Sequence, residues 1–201
     1  MARIINDLYP TPAWMTESLI KHADIRGSIF ECCAGEDQAI AKVFRDRQLF
    51  GDRHMVTTND LYADNCNFRF DATQRNDWDN SFSGNPDWVI TNPPFGCQQE
   101  IIRNAYEFAT IGVAMLLRVS ADEMTMTDPE RYNWWATHSE SLVIKMPRFS
   151  FAKSSKSGKW AVDNTYCQWF VWRKDGHIYP QQVVRLPHDR IEGFHRQPIG
   201  T

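Results

Sequence analysis

Apolar residues along this chain fall into short runs separated by polar segments, and their spacing alternates between two periods. Ile29-Phe30 within Ser28–Glu31, Val56 within Met55–Asp60, Trp88-Val89-Ile90, Gly112–Val119, Leu142–Met146 and Tyr166–Arg173 read as strands. The unbroken apolar character of Gly112–Val119 predicts a central strand covered on both faces. Between these runs the spacing turns helical. Met15, Leu19, Ile20 and Ala23 form one stripe, Ile40, Val43 and Phe44 a second, and Ile101, Ile102, Ala105 and Phe108 a third within Glu100–Ala109. Strand and helix alternate through the first two-thirds. That alternation predicts an α/β fold: a doubly wound, mostly parallel sheet with an antiparallel last strand over Tyr166–Arg173.

Punctuation residues divide the elements. Thr11-Pro12 suits a helix start, with Thr as the cap and Pro at the first turn, and Asp128-Pro129 repeats the signal. The Asp-, Asn-, Ser- and Gly-rich stretch Asn76–Pro86 predicts a loop, and Gly96–Gln99 a mobile one. Ser120–His138 breaks the alternation and carries Trp134-Trp135. Two adjacent Trp cannot both face one core. An exposed ring of the pair could stack on a base, although packing onto the domain is the commoner outcome. Residues 1–201 read as one domain, with a core over 9–173 and an irregular tail over 174–201.

The chemistry concentrates at Thr91-Asn92-Pro93-Pro94-Phe95, directly after the Trp88–Ile90 strand. Two prolines fix φ twice and remove two backbone donors, so the strand stops and Asn92 sits in a defined position. A carboxamide oxygen, a backbone carbonyl at Pro93 and the Phe95 ring then stand close in sequence. Two acceptors and a ring match an exocyclic amino group on a flat base.

Upstream, Ser28–Glu31, the small-residue turn Cys32-Cys33-Ala34-Gly35-Glu36-Asp37 and the following helical stripe form the first half of a nucleotide-binding α/β unit. Gly35 permits close backbone approach or positive φ. With one glycine there is no GxGxxG, and the Glu31 carboxylate would repel a pyrophosphate, which argues against a dinucleotide dehydrogenase. Asp60 ends the second strand at the spacing where an acidic residue meets ribose hydroxyls. Asn59 takes that place if the strand ends one residue earlier, and a plain turn-forming Asn-Asp fits equally.

Composition narrows the classes. The 201 residues carry a net charge of −3, so nucleic-acid binding requires a local basic patch. Five cysteines without a CxxC pair predict neither a disulfide framework nor a metal site, and suit a reducing cytoplasm. No apolar run has membrane-spanning length and no signal peptide is evident, so membrane attachment is not expected.

The Asn92-Pro93-Pro94-Phe95 motif resembles that of the S-adenosylmethionine-dependent amino-methyltransferases, in its aromatic-ended Asn form most similar to the adenine-N6 DNA enzymes. The run from Pro147-Arg148-Phe149 to Trp169–Trp172 resembles the small phage-type members, where a loop joins the last two strands beside the target pocket. The resemblance spans about residues 9–173 and implies a Rossmann-like methyltransferase sheet. It implies catalytic roles for Asn92, Pro93 and Phe95. It implies a Tyr-x-Thr-Pro element at Tyr9, Thr11 and Pro12 lining the methionine end of the cofactor. It further implies cofactor contacts from Glu31, Ala34, Gly35, Asn59 or Asp60, and Asn92. Phe68–Thr73 is similar to the family's third element, a short strand ending in an Asp that takes the cofactor's adenine amino group, here Asp71 beside Ala72. The first turn departs from the family pattern, with Cys32 where Pro is common and Asp37 where a second Gly is common. Asp tolerates left-handed backbone, which keeps the turn feasible.

Arg148–Val162 holds Arg148, Lys153, Lys156 and Lys159 with no acidic residue before Val162, and Phe149, Phe151 and Trp160 are interleaved. A solvated charged loop has the same composition. Rings among cations favour a nucleic-acid strand instead, with phosphates on Lys and Arg and bases on rings such as Trp160. The expected partner is therefore DNA, or RNA by the same chemistry, without metal. A protein glutamine as acceptor, or a non-catalytic nucleic-acid-binding protein on the same fold, are the rival functions.

Overall fold

A computed structural model of the chain describes residues 10–47, 56–81, 84–123, 128–147, 166–174 and 181–186. The elements are α1 (Ala13–Ala23), β1 (Ile29–Glu31), α2 (Ala39–Asp46), β2 (Val56–Thr58), α3 (Arg75–Ser81), β3 (Trp88–Thr91), α4 (Gln98–Phe108), β4 (Gly112–Arg118), α5 (Pro129–Thr137), β5 (Leu142–Lys145), β6 (Cys167–Arg173) and β7 (Gln182–Arg185). The strands form one sheet in the order β2-β1-β3-β4-β6-β5-β7. β6 pairs antiparallel with β4 and β5, and every other pairing is parallel. This is the doubly wound, mostly parallel sheet expected from the alternation.

Side chains leave each strand alternately to the two faces. Along β4, Val113, Met115 and Leu117 join one core with Phe30, Trp78, Ile101, Ile102, Phe108 and Trp135, under α3, α4 and α5. Ala114 and Leu116 join the other with Met15, Leu19, Ile40, Phe44 and Trp169, under α1 and α2. Both faces of the central strands are thus dry, as their apolar runs require.

Several local expectations are corrected. Asn76–Pro86 is not all loop: α3 forms there because the fully buried Trp78 packs edge-on against Phe30 and Phe108, 5.4 and 5.3 Å between centroids, and donates to Ala72 O. That burial overrides the weak helix propensity of Asn and Asp. Gly96–Gln99 forms a 3-10 turn over Phe95–Cys97 and the start of α4. Phe68–Thr73 supplies one parallel bridge, Asn59 to Phe68, in place of a strand. The 174–201 tail is not wholly irregular, since β7 adds parallel to β5 at the sheet edge. The antiparallel strand therefore lies inside the sheet, between β4 and β5. Both Trp of the pair pack: Trp135 is buried, and Trp134 stacks on His138 at 4.6 Å. Asp128 caps α5 as expected, accepting from Arg131 N at 3.0 Å with Pro129 in the first turn.

Glu31 closes β1 and is 2% exposed. Its Oε2 accepts the Ala41 N–H at 2.8 Å, so the carboxyl group serves the otherwise unpaired N-terminus of α2. Burial pushes its pKa from the ordinary 4.5 up to about 8, against the pull of the Ala41 and Ile40 amides and of Arg45. The folded chain thus keeps a proton that the unfolded chain loses. The stability this contributes is complete below pH 4.5 and is lost as pH rises through about 8.

Two outcomes follow. In urea unfolding the Glu31 contribution to stability should fall between pH 4.5 and about 8, by up to about 1.4 kcal/mol per pH unit. Glu31→Gln, which keeps an acceptor oxygen, should flatten that slope. Gly112 opens β4 where a Cβ would stand 2.7 Å from both the Trp172 carbonyl oxygen and the Trp88 ring. Gly112→Ala should therefore cost roughly 1–3 kcal/mol in the same assay, because backbone and a buried indole must both give way.

Candidate active site

Strand order reverses at β1: β2 lies on one side and β3 on the other. The carboxyl ends of these strands border a crevice, the place where open α/β sheets take ligands. The turn after β1 holds Gly35 in a left-handed conformation, φ 62°. The second left-handed residue is Gln38, φ 45°, and not Asp37. The buried Gln38 side chain is tied to Asn65 O and Arg45 at 2.7 Å each, which holds that backbone in place.

The turn is stitched to its neighbours. Ala34 N donates to Asn59 O (2.9 Å), Gly35 N to Asp60 Oδ2 (2.9 Å) and Cys33 N to Thr91 Oγ1 (3.2 Å). Asn59 is wholly buried. Its Nδ2 donates to Cys32 O and Phe70 O, and its Oδ1 accepts from Phe70 N. Its carboxamide thus joins the ends of β1 and β2 to the Phe68–Phe70 segment. Asp60 accepts from Gly35 N through Oδ2 and from Tyr62 N and Ala63 N through Oδ1. Oδ2 keeps capacity for one further donor. Of the two alternatives at the end of β2, Asp60 is the side chain with that capacity.

Asp71 folds a tight turn, its Oδ1 accepting from Thr73 N and Oγ1. Its Oδ2 accepts from no described residue, and the side chain is half-buried. Ala72 is buried with its carbonyl committed to Trp78 Nε1 and Asn104 Nδ2, both at 3.0 Å. Glu31 is likewise turned toward α2. The Glu31 carboxyl group, protonated up to about pH 8, does not supply the charge expected to repel a pyrophosphate; the Asp60 carboxylate beside Gly35 N does. The Cys33 thiol is pushed well above its ordinary range by its contact with Cys32 and by burial, which rules against Cys33 as a thiolate nucleophile.

Asn92 leaves the end of β3 half-buried, and its Nδ2 donates to Thr11 Oγ1 at 3.2 Å. Thr11 is buried and does not cap α1, where Pro12 stands at the N-cap without a side-chain bond. The amide nitrogen is thereby turned to α1, and Oδ1 is its accepting end. The Pro94 carbonyl accepts from Cys97 N in the 3-10 turn, whereas the Pro93 carbonyl accepts from no described residue. Phe95 is half-buried against the α1 core, and the Arg118 guanidinium lies over its ring, 4.1 Å from the centroid.

The fold therefore brings Thr11, Asn92, Phe95 and the β1 turn to one edge. Arg118 is the residue that sequence reasoning missed. Its one signal there is a cation ending an apolar strand next to the motif strand. Tyr9, Arg148, Lys153, Lys156, Lys159 and Trp160 lie outside the described residues. Among the described residues no group of three metal-ligating side chains occurs, and no helix is long and apolar enough to cross a membrane.

No protein-family model and no curated protein matches the chain. Solved structures do. A chain of a type I R-M system superposes with a TM-score of 0.61 at 12% identity, over 92% of this chain and 46% of its own length. A protein described as a class I S-adenosylmethionine-dependent methyltransferase from Listeria monocytogenes gives 0.58 at 14%, over 91% and 67%. One described as the modification subunit of a type I restriction enzyme from Vibrio vulnificus gives 0.61 at 10%, over 92% and 48%. The chain thus spans about half the length of the two restriction-system proteins. At these identities the likeness is one of fold: the chain has the Rossmann-like fold of S-adenosylmethionine-dependent methyltransferases.

Proposed function

We propose that this chain methylates the exocyclic N6 amino group of adenine in DNA from S-adenosylmethionine, with short or relaxed sequence recognition. The observation that carries the proposal is the Asn92–Thr11 hydrogen bond, which engages the carboxamide nitrogen, so that the oxygen is the accepting atom Asn92 would offer a substrate.

The crevice residues suit the cofactor. Small Ala34 and left-handed Gly35 leave room for close approach. Asp60 Oδ2 would take a ribose hydroxyl and Asp71 Oδ2 an amino group, and a turn with the Asp60 carboxylate beside it would tolerate a cationic sulfonium better than phosphates. When bound, the cofactor supplies an electrophilic methyl carbon on a sulfonium whose sulfur keeps the bonding pair. The adenine amino nitrogen is a poor nucleophile because its lone pair is delocalised into the ring. Asn92 Oδ1 and the Pro93 carbonyl would accept its two hydrogens, localise that lone pair and stabilise the positive charge that develops as the new N–C bond forms. One N–H proton then leaves to solvent. Holding the nitrogen in line supplies much of the remaining acceleration. In a duplex the lone pair lies within the stack, so the target base must be flipped out or already single-stranded.

Labelled methyl should pass to DNA and be recovered as N6-methyladenine after nucleoside analysis. Single-stranded DNA and RNA run in parallel decide the polymer. Asn92→Ala should lower kcat at least about 100-fold, the scale of losing one preorganised partner of developing charge, with cofactor affinity much less changed. Near-full activity in that variant would remove Asn92 from the mechanism. Label in no polymer would favour a protein acceptor if the cofactor binds, and the non-catalytic function if it does not.

A further inference from the structure

Arg118 closes β4, whose partner β3 delivers the Asn92 motif, so both strand ends lie on one edge of the sheet. Its backbone pairs with Cys167, the first residue of β6. The Arg118 side chain is exposed except for the ring it covers: its guanidinium carbon stands 4.1 Å from the Phe95 centroid, within cation–π distance. Phe95 also packs against the α1 core. The ring offered for base stacking therefore already carries a cation on one face. A flat base and a guanidinium have the same requirement there, a π face at van der Waals distance, and cannot both occupy it.

The other contacts an arginine makes in this molecule throw Arg118 into relief. Arg173 bonds the carbonyls of Ala23 and Asp24, and Arg75 is paired with Asp79 and Glu107. Among the described residues Arg118 has no carboxylate and no carbonyl partner. A single cation–π contact at an exposed site is weak and reversible, so the guanidinium can leave the ring with little loss of free energy. A nucleotide entering beside Phe95 brings a phosphate, which is the stronger partner for a guanidinium.

We propose that Arg118 is a positioning residue for the target nucleotide. It shields Phe95 in the free protein, gives up the ring face to the incoming base, and moves onto a phosphate flanking that base. This rests on the adenine-polynucleotide assignment above, and it adds a selectivity: the exchange favours a base attached to phosphates over a free base or nucleoside.

The test compares wild type, Arg118→Ala and Arg118→Lys in binding oligo(dA) across a salt series and in binding uncharged deoxyadenosine, all with S-adenosylmethionine's demethylated product present. Arg118→Ala removes the guanidinium from that ring face. Deoxyadenosine should bind about two- to five-fold more tightly, the range of one cation–π contact at an exposed site. Oligo(dA) should bind more weakly at low salt, and the slope of log K against log salt should shrink by about 0.7, the loss of one phosphate contact on a single strand. Arg118→Lys should restore most of the salt slope. An unchanged salt slope in Arg118→Ala, with wild type binding oligo(dA) normally, would overturn the role of Arg118 and leave adenine methylation standing. Wild type binding neither ligand would overturn both. A loss of binding to both ligands in Arg118→Ala, with unchanged urea stability, would also overturn the exchange, because the base would then rest on Arg118 itself.

Discussion

Parallel strands that end side by side leave a row of backbone donors and acceptors with no further strand to pair them, and the rest of this structure depends on how those groups are satisfied. Asn59 satisfies several of them. Its carboxamide gives two bonds and takes one, joining Cys32 to the Phe68–Phe70 segment. Its own backbone takes the Ala34 N–H and gives to Glu31 O. Thr91 does the same for β3 and Cys33. A wholly buried amide with every partner present is rigid, whereas one missing partner would leave a polar group unpaired in a dry core. The first turn can therefore be irregular in sequence and still be held in one shape.

The same constraint explains the electrostatics. Glu31 and Asp60 are both buried, at 2% and 8% exposure, yet they are treated differently. Asp60 receives three backbone N–H groups. Glu31 receives amides of α2 but is the more deeply enclosed, and its proton is retained to about pH 8. Asp60 adds to the upward push on the Glu31 carboxyl group, and the proton that Glu31 keeps lessens the repulsion between the two beneath the crevice. The Asn92 motif sits across the sheet edge on β3, and Asn92 is oriented by a neutral hydroxyl, Thr11, rather than by a charge.

Much of the architecture is legible in the sequence. Alternating strand and helix periods, the continuous apolar run of β4 and the Asp128-Pro129 start all hold, because each rests on local periodicity or capping that tertiary contacts reinforce. The misses share another cause. α3 looks like a loop until Trp78 is placed between Phe30 and Phe108, and the Thr11 hydroxyl looks like a cap until α1 is laid beside β3. β7 forms from a segment with exposed Val183 because β5 offers it an unpaired edge. Each depends on a partner distant in sequence.

At the site the division is equally physical. The sequence by itself determined the double-proline stop that places Asn92 at a strand end, the single-glycine turn after β1 and the acidic residues at strand ends, since these follow from φ restriction and residue chemistry alone. Only the tertiary structure decided which atoms stay available: Asn59 and Ala72 are consumed by buried bonds, whereas Asp71 Oδ2 and the Pro93 carbonyl accept from no described residue. It also set Arg118 on Phe95, across a strand register that no local pattern encodes. Hydrogen-bond capacity is settled by neighbours in space, and the sheet chooses those neighbours.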